Sequence, residues 1–211
     1  GTGLHDQRSA NFVSLSRLLR DPLLIMGLWA DHVLPLLVEK ACRSSAIREE
    51  RARWVPRAEG EVLELGVGSG LNLSFYDPAK VTRVIGIDPS RALLTKATPR
   101  AREATVPVEL VEAHAESLPF AAQQFDSAVV TYSLCSVEDP LRVFAELRRV
   151  LRRDGRLYFV EHGLSPDRST RRWQRLLTPG WKRIGGGCHL DRDIAALLRE
   201  GGFVSNDLTA H

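Results

Sequence analysis

Ten residues, Glu61-Val-Leu-Glu-Leu-Gly-Val-Gly-Ser-Gly70, constrain this chain more than any other stretch. A short, largely apolar run is followed at once by glycines at 66, 68 and 70. Such a run, stopped by glycine, predicts a strand over Glu61–Leu65, and Leu71–Tyr76 reads as the start of a helix. Glycine at these positions permits positive φ and close approach of backbone to a ligand. Open α/β sheets bind ligands at the carboxyl ends of their strands, so the turn is a candidate site.

The pattern that follows sets the fold class. Arg83–Ile87, Val108–Val111, Phe125–Val130 and Arg156–Val160 also read as strands. Helical segments at Ser90–Glu103 and Pro140–Leu151 lie between them, and Arg168–Leu177 and Leu190–Glu200 follow. Strands alternating with helices imply right-handed crossovers and a mostly parallel sheet. Phe203–Leu208 offers a last strand. Residues 11–55 read as helical, with Asp21-Pro22 as a helix start and Pro35 as a break. The expected organisation is an N-terminal helical cap over 1–56 and an α/β domain over 57–211.

Composition excludes several classes. Of 211 residues, 44% are hydrophobic and 26% charged, as in a soluble globular domain. The net charge of +3 does not call for a nucleic-acid partner. The longest apolar stretch, Pro22–Ala30, is far short of the roughly 18 residues of a membrane span. Cys42, Cys135 and Cys188 are too few and scattered for a disulfide framework. Cys188-His189 has no second pair to complete a zinc site, so no metal is expected. The reading is soluble and cytoplasmic.

Spacing narrows the ligand. A dinucleotide fingerprint requires G-x-G-x-x-G, and its third glycine falls on Leu71. The observed E-x-G-x-G-x-G instead puts a carboxylate, Glu64, beside the turn, suited to a cationic amino group. Val84-Ile-Gly-Ile-Asp88 ends a second strand in an acid. Asp88 either accepts the two hydroxyls of a ribose or caps the helix that follows. Ala113-His-Ala-Glu-Ser-Leu-Pro-Phe120 carries polar groups into a loop after the third strand.

Taken in order, Glu64–Gly70, Gly86-Ile-Asp88, Ala115–Phe120, Phe125-Asp126 and Leu147–Leu157 resemble the class I S-adenosylmethionine (SAM)-dependent methyltransferases, in the group that includes the ubiquinone and menaquinone biosynthesis enzymes. The resemblance covers roughly residues 60–203. It implies a Rossmann-like α/β fold, an open, mostly parallel sheet with helices on both faces. It also implies roles. Glu64, Gly66, Gly68, Gly70 and Asn72 would hold the methionine part. Asp88 would take the ribose, with Pro89 and Ser90 beside it. Ala115 and Glu116 would meet the adenine, and Thr131–Leu134, including Ser133, would line the face where methyl is presented. The family's sheet normally ends in an antiparallel pair, for which Phe203–His211 is too short.

The substrate end, Glu161-His-Gly163, Trp173-Gln174, Pro179-x-Trp181 and Gly187–Arg192, is similar to membrane-associated alkyl-thiol methyltransferases and their bacterial relatives. The implied acceptor is small and apolar or amphiphilic. His162 is the candidate base, with His189 and Tyr132 as further candidates; each has a plain structural reading too. Trp173, Leu176, Leu177 and Trp181 among the arginines of 168–183 form either a lid, a peripheral membrane contact, or a helix packed on the domain. Two rivals stay open: an NAD(P)-dependent oxidoreductase and a SAM-binding module without activity. The oligomeric state is left open.

Overall fold

The computed structural model describes residues 44–204. Helix α1 (Ser45–Trp54) leads through a short 3-10 turn into strand β1 (Gly60–Leu65). Then come β2 (Val81–Asp88), α2 (Arg91–Glu103), β3 (Val108–Glu112) and β4 (Phe125–Thr131). The chain continues through α3 (Pro140–Val150), β5 (Leu151–Val160), α4 (Arg168–Ile184) and α5 (Ile194–Glu200). The five strands form one sheet in the order β3-β2-β1-β4-β5, and every pairing is parallel.

Both faces of this sheet are covered, which is why its central strands are nearly continuous apolar runs. Alternate residues serve opposite faces. Val62, Val84 and Val129 pack with Val55, Leu73, Tyr76 and Leu94 on one side. Leu63, Leu65, Ile85, Ile87, Ala128 and Val130 pack on the other against α3 and α5. Helix α3 buries Val143, Phe144, Leu147 and Val150, a single helical face. Its start is fixed by Asp139, whose Oδ1 accepts from the Arg142 amide at 3.1 Å, and by Pro140 at the first turn.

The predicted fold class stands, and several boundaries move. Leu71–Tyr76 is not a helix but a turn with one 3-10 segment at Leu73–Phe75. The Asn72 side chain is drawn under the glycine turn by Glu64 and Thr131, and Pro78 follows closely. Strand β5 starts at Leu151, five residues earlier than predicted, because its exposed first half carries Arg152, Arg153 and Asp154. Helix α4 runs through Pro179 to Ile184, beyond the expected Leu177. The segment read as Leu190–Glu200 is helical only from Ile194, where Asp193 caps the Ala196 amide at 2.9 Å. Phe203 is not in a strand but stacks edge-on against Phe144, with ring centroids 5.7 Å apart. The helical reading over residues 11–43 and most of Phe203–Leu208 lie outside the described residues. Among the described residues no helix is long and apolar enough to cross a membrane.

Candidate cofactor and acceptor site

Strand order reverses between β1 and β4, and there a cavity of about 870 Å³ opens at the carboxyl ends of the strands. Two loops meet across the crevice. Gly66 follows β1 with φ +66°, and a Cβ added to it would fall 2.1 Å from Ser133 Oγ. Only glycine lets the loop after β1 lie against the loop after β4.

Asp88 ends β2 and ties the glycine turn to the next helix. Its Oδ2 accepts from the Gly68 amide at 3.0 Å and its Oδ1 from the Ser90 amide at 2.8 Å. Burial pushes its carboxyl up, and these two bonds pull it down; the net direction is upward. A carboxylate accepts about four hydrogen bonds, so about two acceptor positions remain for the hydroxyls of a ribose. Helix capping itself is done by Ser90, whose Oγ accepts from Leu93 at 3.4 Å.

Glu64 is deeper than the sequence implied, at 1% exposure. Its Oε1 accepts from Asn72 Nδ2 at 3.0 Å and its Oε2 from the Tyr76 hydroxyl at 2.7 Å. Burial raises its carboxyl to about 7, against the pull of the Tyr76 and Asn72 bonds and of the Arg51 charge. The second Asn72 amide hydrogen goes to Thr131 Oγ1 at 3.0 Å. Asn72 lines the cavity, and its Oδ1 is buried with no hydrogen-bond donor among the described residues. Leaving a buried acceptor unmet costs about 1–3 kcal/mol. Arg51 of α1 also lines the cavity at 5% exposure. No motif marked it; only the packing of α1 brings it there.

The cavity wall includes Glu64, Gly66, Gly68, Asn72, Asp88, Pro89, Ser90, Ala115, Glu116, Thr131, Tyr132 and Ser133. Gly70 is not on it. Its φ of +80° closes the turn against Leu73 and Ala97, a packing role. Glu116 Oε1 accepts from the Glu138 amide at 3.0 Å, joining the loops after β3 and β4. Tyr132 holds φ at 53°, a left-handed conformation uncommon outside glycine. The loop that follows is clasped by Glu161, whose Oε1 accepts from the amides of Ser133 and Leu134. Burial raises the Glu161 carboxyl to about 7. The sequence reading used Glu161 only as part of a motif and missed this positioning role.

Neither His162 nor His189 has its place on the cavity wall. His162 Nε2 lies 3.3 Å from Cys188 Sγ. The bond to Cys188 raises the imidazole, while Cys135 and then His162 draw the Cys188 thiol down and Cys135 is pushed up. His189 donates its backbone N–H to the Cys135 carbonyl at 2.8 Å, and its ring stands 3.9 Å from Asp191. The sequence reading paired Cys188 with its neighbour His189; the fold pairs it with Cys135 and His162 instead.

The glycine turn, the acid ending β2 and the reversed strand order define a nucleoside-binding α/β domain. Its spare acceptors at Asp88 and Asn72 and the cation of Arg51 fit a nucleoside joined to an amino acid. The sequence matches the methyltransferase domain family over residues 63–159. It is 39% identical over 186 residues to the human (Homo sapiens) thiol S-methyltransferase TMT1B, covering 80% of this chain and 75% of that one. It is 34% identical over 153 residues to the human (Homo sapiens) thiol S-methyltransferase TMT1A, covering 70% and 62%. Across four such relatives, from human, rat and mouse, the matches span 55 to 75% of the relatives' lengths. A SAM-dependent methyltransferase structure from Thermotoga maritima superposes with a TM-score of 0.57 at 23% identity, covering 82% of this chain and 81% of that one, which shows the shared fold. The chain belongs to the class I SAM-dependent methyltransferases. The comparisons favour this over the nicotinamide-dependent alternative.

Proposed function

We propose that this chain moves a methyl group from SAM to the sulfur of a small, apolar or amphiphilic thiol. The observation that carries the reading is the continuity of the cavity, from the Gly66–Asp88 cradle to Gly185 and Gly186 at the end of α4. That helix has an exposed apolar face. Trp173, Leu176, Leu177, Trp181 and Ile184 are 43 to 68% exposed and recur at helical spacing. Arg168, Arg171, Arg172, Arg175, Lys182 and Arg183 take the opposite side. An apolar acceptor gathers on this face and reaches the cavity past Gly185, and the basic side gives the helix a peripheral hold on an anionic lipid surface. The relatives named as thiol S-methyltransferases support sulfur as the atom methylated.

SAM, when bound, supplies a methyl group already activated for in-line displacement. The protein's part is alignment and exclusion of water, and orientation alone is worth roughly 7–11 kcal/mol. Asp88 would hold the ribose, Asn72 Oδ1 and Glu64 the amino group, and Arg51 the carboxylate. The loop Tyr132–Leu134, clasped by Glu161, forms the wall on the acceptor side. The experiment is a panel of alkyl thiols, amines and phenols with methyl-labelled SAM. Label is expected on the thiols. Label on amines or phenols with none on thiols would overturn the assignment.

A further inference from the structure

Three soft ligand atoms converge behind the cavity wall from three separate stretches of chain. Cys135 follows β4, His162 follows β5, and Cys188 ends the glycine loop after α4. The two sulfurs and a His162 ring nitrogen all lie within 4.8 Å of one another, and His162 Nε2 is 3.3 Å from Cys188 Sγ. A tetrahedral zinc ion, with Zn–S about 2.3 Å and Zn–N about 2.0 Å, sets its ligand atoms about 3.5–3.8 Å apart. The cluster reaches that spacing by shifts of about 1.3 Å at most. Both cysteines are free thiols.

The surrounding backbone holds these groups in place. The left-handed Tyr132 and the positive φ of Gly186 and Gly187 turn the chain toward the cluster from either side. The His189 amide is bonded to the Cys135 carbonyl, which stitches the two cysteine-bearing segments together. Arg192 donates to the carbonyls of Leu134 and Val137, on both sides of Cys135, and brings a positive charge close to the sulfurs.

We propose that Cys135, His162 and Cys188 form a three-ligand site for a thiophilic cation, zinc(II), with the fourth position open to water. Among the described residues no other His, Cys, Asp or Glu joins the group. Three protein ligands with one open position is the arrangement of a zinc that exchanges its fourth ligand, and not of a closed structural site. On binding, the two thiols give their protons to solvent and the imidazole binds neutral through Nε2. The site does not depend on which acceptor is methylated. Leu134 and Ser136, on either side of Cys135, line the cavity, as do Gly185 and Gly186 just before Gly187 and Cys188, so the cation would brace its acceptor end.

The test is cobalt(II) added to the reduced full chain, followed by optical absorption. One equivalent is expected to bind with sulfur-to-cobalt charge-transfer absorption in the near ultraviolet and strong tetrahedral bands in the visible. Zinc should displace it. Cys188→Ser and His162→Ala should each weaken cobalt binding at least about tenfold. Retained binding of S-adenosylhomocysteine by these variants shows that they are folded; a variant that loses it is replaced by Cys135→Ala. Absence of stoichiometric cobalt bands in reduced protein, or bands unchanged in Cys188→Ser, would overturn the site.

Discussion

Replacing Tyr76 with phenylalanine interrogates the buried carboxylate under the cofactor cradle. Tyr76 is 2% exposed, and its hydroxyl donates to Glu64 Oε2 at 2.7 Å. Burial pushes the Glu64 carboxyl from 4.5 to about 7. A folded-state value above the unfolded one means that the folded protein holds the proton more tightly. The stability this contributes is full below about pH 4.5 and is lost as pH rises through about 7. At 1.36 kcal/mol per pH unit, the whole loss is about 3 kcal/mol. Removing the hydroxyl takes a hydrogen bond from a charged acceptor at high pH, worth about 1.5–3 kcal/mol, and from a neutral one at low pH, worth about 0.5–1.5 kcal/mol. It also raises the folded-state value further, so the decline extends to higher pH. Tyr76→Phe should therefore be destabilised by about 1 kcal/mol more at about pH 8.5 than at about pH 5.5. Urea unfolding of the cofactor-free protein at the two pH values measures this. Equal destabilisation at both would mean that Glu64 does not titrate in this window, and the reasoning would fail.

Asp88→Ala removes the acceptors left for the ribose along with two turn bonds. Calorimetry with S-adenosylhomocysteine should find affinity lower by about 100-fold, from about 3 kcal/mol of lost charge-assisted bonding. A change below about threefold would count against ribose binding there. Gly66→Ala brings a Cβ against Ser133 in a left-handed conformation, so it should cost about 1–3 kcal/mol of stability. Adding Ser133→Gly should recover part of that in thermal unfolding, and no recovery would argue that the two loops do not meet as described. Trp173→Ala with Trp181→Ala should raise KM for an apolar thiol at least about threefold and leave cofactor affinity unchanged, because the two exposed rings would lose the contact they make with a bound acceptor. An unaltered KM would remove α4 from the acceptor path.

What the sequence made legible follows from how local each signal is. Gly66, Gly68 and Asp88 stand at the ends of strands whose apolar runs are continuous, and their spacing alone located the crevice. The cap of α2 was misplaced by two residues: Asp88 was the candidate in the sequence, and Ser90 caps the helix. Leu71–Tyr76 misled because an apolar stretch after a glycine turn looks helical until Asn72 is pulled inward by Glu64 and Thr131, partners from two other strands. Arg51 and Tyr76 reach the site through packing across the sheet, which no window of sequence contains. Strand β5 was read short because an edge strand tolerates charge where a central one does not.

The same reasoning explains why His162 was placed in the pocket. A histidine just past a parallel strand sits at the carboxyl edge, and edge position is what sequence reports; side-chain direction is not. Glu161 turns to the loop after β4 and clasps the Ser133 and Leu134 amides, and the next residue turns to Cys188. The family's cradle and the sulfur cluster thus share one loop. Glu161 fixes the wall that the acceptor meets, and His162 fixes the cysteine that ends the glycine loop at the far side of that wall. A change at Glu161 should therefore disturb both at once, whereas a change at Cys188 should leave the ribose end untouched.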